Sequence, residues 1–509
     1  MAPPISVDEV SRHNKQEDCW IVVEGQIYDL TSFAPEHPGG PGIIYKYAGR
    51  DATKVYNEVH SLSVIKEGLS ASAHKGPLDT STITTTWTEP LPSETPETVS
   101  TSSSTTAKPP LDSIINTHDF EIVARNTSTA KTWAFYSSAS NDLITRDLNA
   151  SIYQCVLLRP RTMRKVRTID TSTQLFGHPI SFPLFISPAA MARLIHPDGE
   201  LAIARACRTR GIIQAISNNA SYSATEIVSQ PTVLNHPFIF QLYVDKRREK
   251  TNALLHRLQQ HPNITTIMIT VDAAAAGKRE ADERVKADET IVNPMQKTAP
   301  KNDKKGGGYG RLMASFIDPD LNWDYLGWLR SEIRPDIKLL LKGVMSADDV
   351  HLALQHGLDG VVLSNHGGRN LDTSPPPLLV LLELHARFPH VISAHHPRSP
   401  AVRAGRAKPF TILVDGGIRR GTDILKCVAL GAVAVGIGRP ALYAASYGQE
   451  GVEHCIDILR EEFEVAMRNC GVDAVDGLGP ELVNTGRIDG LVPRERGHGY
   501  AVTWRESRL

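Results

Sequence analysis

The run Ser364-Asn365-His366-Gly367-Gly368-Arg369 sets a proton acceptor, two glycines and a strong cation within six positions. A histidine can take a proton near neutral pH. An arginine three residues later can hold a carboxylate through two parallel hydrogen bonds. Together they fit a site that removes a proton from a small acid. A tight turn with a structural histidine would have the same sequence. The preceding run, 360–363, is Gly-Val-Val-Leu, short, β-branched and bounded by glycine, so it reads as a buried strand. The hexapeptide then stands at a strand's C-terminal end.

What could position it is a series of similar strands. Eight short apolar runs recur at 182–187, 212–217, 238–244, 266–271, 338–342, 360–364, 411–414 and 432–437. Helical patterns separate most of them, at 199–209, 347–356 and 422–430; a lead-in at 111–124 precedes the first strand and 451–469 follows the last. Eight β-α units in series predict an α/β fold, a closed parallel (β/α)8 TIM barrel. A doubly wound sheet is the alternative, but no Gly-x-Gly-x-x-Gly opens a helix after the first strand.

Barrel chemistry gathers at strand C-termini. The first strand ends in Ser187-Pro188-Ala189-Ala190 and the second at Ser217. The third carries Gln241 and Tyr243; the fourth carries Thr270 and Asp272, with Arg279 beyond. Lys342 ends the fifth, and Ser364 and His366 follow the sixth. The seventh ends in Asp415-Gly416-Gly417 with Arg419, and the eighth in Gly438-Arg439. Gly-rich turns with arginines after strands seven and eight suit a phosphate. Any one of these residues is ordinary; the ring of them is the signal.

A chain of 509 residues exceeds one ordinary domain. With 41% hydrophobic and 22% charged residues it has a globular composition, and its net charge of −1 argues against charge-driven binding to nucleic acid or membrane. No apolar stretch approaches a membrane span. The six cysteines are scattered without a Cys-x-x-Cys, which disfavours a disulfide framework or zinc site and fits a reducing compartment. The N-terminus has neither secretory nor transit character, so a mitochondrial intermembrane space is not supported. The C-terminal Ser507-Arg508-Leu509 is similar to a peroxisomal address; a cytoplasmic location is the alternative.

Residues 1–78 read as a small separate domain. Two short strands, 19–23 and 27–30, flank a tight turn; a Pro/Gly loop follows, with His37 in it and His60 further on. Such a pair could bind a metal, ligate haem axially, or do neither. Axial ligation needs an apolar cleft between the imidazoles, and Ile43, Ile44, Tyr45, Tyr47, Val55, Tyr56, Val64 and Ile65 could line one. Residues 79–108, with Ser/Thr runs and prolines at 90, 92 and 96, read as a disordered linker, and 109–509 as one large unit.

The segment 19–30 with His37-Pro38-Gly39-Gly40, Ala48-Gly49-Arg50-Asp51-Ala52-Thr53 and His60 resembles the cytochrome b5 family. That resemblance implies a small α+β domain whose haem b iron is held by His37 and His60. The barrel, through Gln241-Leu242-Tyr243-Val244, Thr270-Val271-Asp272, 364–369, 414–421 and Gly438-Arg439-Pro440, resembles the FMN-dependent α-hydroxy acid dehydrogenase/oxidase family. Such a domain ahead of such a barrel is the arrangement of flavocytochrome b2-type enzymes.

The resemblance implies roles by position. His366 is the proton acceptor, Asp272 its orienter, and Arg369 and Arg279 meet the substrate carboxylate. Tyr243 and Tyr153 contact the substrate. Lys342 stands beside the flavin; Ser187, Ala189, Ala190, Ser217, Gln241 and Thr270 border its ring, with Ser364 nearby. Asp415, Gly416, Gly417, Arg419, Gly438 and Arg439 hold the ribityl chain and phosphate. Three departures stand out: Ala189 where threonine is usual, Asn218-Asn219 after Ser217, and an insertion at 395–408. The first two bear on the substrate side chain. The segment 286–310 reads as a long loop, either a lid or a plain excursion.

The expected activity is FMN-dependent oxidation of a lactate-like L-2-hydroxy acid to the 2-oxo acid. Electrons would pass to haem b and then to a cytochrome c-like acceptor. The alternatives are an oxidase that reduces O2 to H2O2, and a haem carrier or sensor on an inactive barrel. The resemblance also implies a homotetramer.

Overall fold

In the computed structural model, which describes residues 4–36, 41–57, 65, 69–84, 87, 108–286 and 308–494, eight parallel strands close into a barrel. They are β1 (Leu184–Ile186), β2 (Ile213–Ile216), β3 (Phe238–Leu242), β4 (Ile264–Thr270), β5 (Lys338–Val344), β6 (Gly360–Leu363), β7 (Thr411–Asp415) and β8 (Ala434–Ile437). Closure comes where β8 pairs with β1, Val435 opposite Leu184 and Ile437 opposite Ile186. The expected strands match these eight in order and nearly in extent.

The two-residue alternation of a strand sorts the side chains. Phe185, Ile213, Ile239, Met268, Leu340, Val362 and Leu413 form one inner cluster. Leu175 and Ile180, from the antiparallel pair Thr173–Leu175 and His178–Ile180, join it and plug one end of the barrel. Outward residues such as Ile186, Ile216, Phe240 and Ile267 belong instead to the large cluster shared with the surrounding helices. Truncating an inner residue such as Phe185, which is fully buried, would cost about 3–5 kcal/mol.

Three helices precede the barrel: Thr117–Thr127, Ala130–Ser137 and Ile144–Ser151. The first starts later than the lead-in pattern suggests, because Asn116 Oδ1 accepts from the N–H groups of His118 and Asp119 and caps it there. The six cysteines are all free. Among the described residues no helix is long and apolar enough to cross a membrane.

The small domain is a mixed sheet. Asp18–Val23 pairs antiparallel with Gln26–Asp29 across the turn Glu24-Gly25, where both residues have left-handed φ, 49° and 67°. Such a turn matches the twist of the two strands. One face of the sheet packs Cys19, Ile21, Val23 and Tyr28 against Ile44, Tyr47 and Ile65, with Tyr45, Val55 and Tyr56 beside them. Six of the eight apolar residues expected to line a haem cleft belong to this group; Val64 and the side chain of Ile43 lie outside the described residues. The opposite face packs Val22 and Ile27 on Val7, Val10 and Trp87.

The start of the expected linker is ordered on this face. Thr80–Thr82 forms a 3-10 turn, and Thr82 Oγ1 accepts from Val7 N at 2.9 Å. Trp87 Nε1 donates to Gly49 O at 2.9 Å. The Ser/Thr composition hid one indole with a pocket to enter. Residues 88–107 lie outside the described residues.

Candidate active site

Side chains from seven of the eight strand ends, and from the turn that follows β6, converge on one cleft. After β6 the backbone takes three successive left-handed residues, His366 (φ 58°), Gly367 (65°) and Gly368 (77°). That conformation is strained for a histidine and persists only where its surroundings fix it. A Cβ at Gly368 would stand 2.7 Å from Arg146 N, so the turn sits directly on the third lead-in helix. Asn365 and Asn149 exchange amide hydrogen bonds of 2.7 and 2.8 Å and tie the two together.

The turn carries the imidazole over the cleft. His366 Nδ1 lies 3.0 Å from Asp272 Oδ1, and Nε2 lies 3.4 Å from Tyr243 Oη. Asp272 follows β4 directly, and Asn370 Nδ2 donates to its carbonyl at 2.8 Å. Opposite, a Cβ at Gly343 would stand 2.5 Å from the Asp272 side chain, and its φ of 106° suits only glycine. The dyad therefore has no room to shift.

Burial lowers the pKa of His366, and the Asp272 carboxylate only partly opposes it, so the free imidazole is neutral. For Asp272 burial acts upward, but the charge and hydrogen bond of His366, with Lys342, hold it below the usual carboxylate range. Burial pushes the Tyr243 phenol well up, so it stays a donor. With Nδ1–H donated to Asp272, Nε2 keeps its lone pair toward the cleft and can act as a base.

Arg279, Arg369 and Arg439 line the same cleft. The hydrogen bonds described for them go to backbone carbonyls: Arg369 to Tyr136, Arg279 to Arg369, and Arg439 to Tyr136, Ser138 and Gly367. Burial, then their mutual repulsion, depresses Arg369 to about 10; burial and Arg369 together depress Arg439 to about 9. Cations held this way are stabilised by a bound anion. Arg419 also lines the cleft, with Gly416, Gly417 and Gly438.

Along the barrel axis, Gln241 Nε2 donates to Thr270 Oγ1 at 2.9 Å, and Gln241 Oε1 accepts from Asn218 N at 3.1 Å. Lys342 Nζ donates to Ser364 Oγ at 3.1 Å and lies 3.6 Å from Asp415 Oδ2. Ser187 Oγ donates to that same oxygen at 3.2 Å. A buried lysine at one side and arginines with a glycine turn at the other fit a group with an electron-rich edge and a phosphate, as in FMN.

Most expected residues line the cleft; three do not. Asp272 stands behind His366, 3.0 Å from its Nδ1. Ser364 is fully buried behind Lys342, where its hydroxyl anchors the ammonium. Tyr153 is 1% exposed in the turn Ile152–Cys155, and its hydroxyl donates to Gly416 O at 3.2 Å. It braces the glycine turn from behind. The tyrosine ahead of the barrel that does reach the cleft is Tyr136, next to Phe135, both on the second lead-in helix. Its hydroxyl is committed to Ala190 O and Met191 O. Strand-end reasoning missed both because they precede the barrel. Their signal was an aromatic pair facing inward on a short helix. His37, His60 and Ser507-Arg508-Leu509 lie outside the described residues, as does most of 286–310.

Comparison with known proteins gives two family matches: FMN-dependent dehydrogenase over residues 124–485 and cytochrome b5-like Heme/Steroid binding domain over residues 6–79. The chain is 38% identical to L-lactate dehydrogenase (cytochrome) of Wickerhamomyces anomalus over 94% of its length and 79% of that protein. Identity to the Saccharomyces cerevisiae protein of the same name is also 38%, with the same coverage. The crystal structure of the recombinant flavin-binding domain of baker's yeast flavocytochrome b2 superposes with a TM-score of 0.63 at 35% identity, covering 78% of this chain and 92% of that one.

Proposed function

Since this chain belongs to the FMN-dependent dehydrogenase family and carries a cytochrome b5-like domain ahead of the barrel, we propose that it oxidises a lactate-like L-2-hydroxy acid to the 2-oxo acid and sends the electrons through haem b to a cytochrome c-like acceptor. The observation that carries the reading is the dyad. His366 Nδ1 is fixed 3.0 Å from Asp272, while Nε2 faces Tyr243 in a cleft that also holds Arg279 and Arg369.

When bound, FMN supplies a two-electron acceptor that can hand electrons on singly. The chain's own groups do the rest. Arg369 and Arg279 take the substrate carboxylate, which relieves their mutual repulsion and orients the α-carbon. His366 Nε2 takes the substrate proton, and the Asp272 carboxylate stabilises the imidazolium that forms. The Tyr243 phenol donates to the substrate oxygen. Lys342, buried on the cleft wall, would supply a cation to the reduced flavin. Arg419 and Arg439, with the Gly416-Gly417 turn, hold the phosphate. In the small domain we assign the haem iron to His37 and His60.

The domain limits 1–78, 79–108 and 109–509 belong to this reading, with the linker's ordered start moved onto the first domain. So does a peroxisomal address at Ser507-Arg508-Leu509, tested by masking the tripeptide and locating the protein in cells.

The deciding experiment mixes the holoenzyme with a panel of L-2-hydroxy acids. Flavin and haem absorbance are followed, then reduction of ferricytochrome c against peroxide release. Haem reduction by substrate with little peroxide is expected. Peroxide without haem turnover would replace the dehydrogenase by an oxidase, and no bleaching with any acid would sink both. His37→Ala should lose haem and keep substrate-driven flavin reduction.

A further inference from the structure

We propose that Glu200 is a positioning residue for the substrate side of the cleft: a buried carboxylic acid, held neutral, that clamps the loop after β1 to the loop after β2. The inference rests on reading this cleft as the hydroxy acid's site. Glu200 begins the helix Gly199–Arg210 at its second residue and is 2% exposed. Its Oε1 accepts from Ala192 N and from Ser221 N, each at 2.9 Å. Ser221 Oγ accepts from Arg193 N at 3.1 Å, and Asn219 O accepts from Met191 N at 3.0 Å. Three successive backbone N–H groups of the first loop thus end on the second loop or on the carboxyl that joins them.

Met191 has a left-handed φ of 56°, which a branchless but bulky side chain tolerates only when its neighbours fix it. Just outside the clamp, Ala189, Ala190 and Asn219 line the cleft. Glu200 itself is absent from that lining. Its effect is on where those three residues stand, hence on the room left for the substrate side chain.

The protonation follows from two orphaned acceptors. Glu200 Oε2 has no partner among the described residues, and neither has Oε1 of Gln214, which is buried on β2. Both residues line one small cavity bordered by Ser187 and Ser217. A carboxylic acid supplies a hydrogen that both oxygens can share, directly or through one water. A carboxylate would instead leave a buried charge on an unbonded oxygen. Burial pushes the Glu200 carboxyl up from its ordinary range, the same direction, against the opposing pull of the two loop N–H groups and Arg193.

Two variants test this. Glu200→Gln keeps a carbonyl oxygen for both loop N–H groups and offers an N–H to Gln214. Glu200→Leu keeps the bulk and removes the acceptor. The glutamine variant should retain FMN, the wild-type KM and the wild-type preference between a small and a large 2-hydroxy acid. In wild type minus Glu200→Gln, infrared difference spectra should show the C=O band of a protonated carboxyl. The leucine variant should retain FMN and kcat but raise KM on the order of tenfold and shift the preference, since two buried donors lose their partner. A glutamine variant as impaired as the leucine one, or a carboxylate band in place of the acid band, would overturn the proposal. So would a leucine variant with unchanged KM and preference. If the leucine variant does not fold, the glutamine variant and its spectrum still decide. A wild-type enzyme that no hydroxy acid reduces would refute the reading of the cleft, a different failure.

Discussion

Among the described residues two histidine–aspartate pairs stand, one in each domain, and distance alone would rank the one in the barrel second. In the small domain His13 Nδ1 lies 2.6 Å from Asp18 Oδ1; in the barrel His366 Nδ1 lies 3.0 Å from Asp272 Oδ1. The Asp18 side chain is 52% exposed, against 13% for Asp272. His13 stacks on Trp20, ring centroids 3.6 Å apart, and its Nε2 lies 3.5 Å from Glu9. Both of its nitrogens thus face carboxylates, and its face is covered. His366 keeps one nitrogen for the orienting carboxylate and turns the other toward a phenol and a cleft lined by arginines. A histidine–aspartate pair becomes a base through what its second nitrogen faces.

The largest break is at that nitrogen. His366→Gln keeps a polar side chain and removes the base, so flavin reduction by substrate should fall by about 10³- to 10⁴-fold with FMN and haem still bound. Rapid-mixing absorbance measures it; turnover near wild type would end the assignment. Asp272→Asn is the next step down. The amide leaves the imidazole in place but no longer selects its tautomer or stabilises its charged form, so a loss on the order of 100-fold is expected.

Acidity sharpens the contrast. The base must be neutral, so activity is full above the pKa of His366 and is lost as pH falls through it. Burial places that pKa below the ordinary 6.5. The acid limb of kcat/KM should therefore lie below pH 6.5 in wild type. In Asp272→Asn it should move lower still, because the carboxylate is what holds the imidazole's proton affinity up. An acid limb above that value would mean another group governs it.

The barrel was legible because its strands are short apolar runs that end in chemistry, and period and punctuation carry that order. Ser187, Gln241, Lys342 and His366 could be read as one ring from their place after successive strands. Tyr153 and Tyr136 could not be told apart, since both lie before the first strand, where no periodicity says which face meets the cleft. Only packing separates them: one phenol braces Gly416 from behind and the other borders the pocket. Glu200 was silent for a related reason. A glutamate at the start of a helix is ordinary by composition, and its two loop partners are 8 and 21 residues away. Trp87 hid inside a Ser/Thr run in the same way. Sequence shows what repeats, and single contacts between non-repeating segments do not.

The smallest expected effect is at His13, where the comparison can fail most informatively. Its pair with Asp18 is water-exposed on one side, and exposed ion pairs contribute about 0–1 kcal/mol. The stacking on Trp20 adds roughly 0.5–1.5 kcal/mol if it behaves as other ring pairs do. Asp18→Asn should thus leave the thermal midpoint of the small domain nearly unchanged, while His13→Ala lowers it slightly by uncovering the indole. Neither should alter flavin reduction or the pH profile. Calorimetry and the rapid-mixing assay on the same preparations separate the two contributions. A change in flavin reduction in either variant would mean that the small domain reaches the base through this pair, and the contrast between a pinned histidine and a poised one would no longer hold.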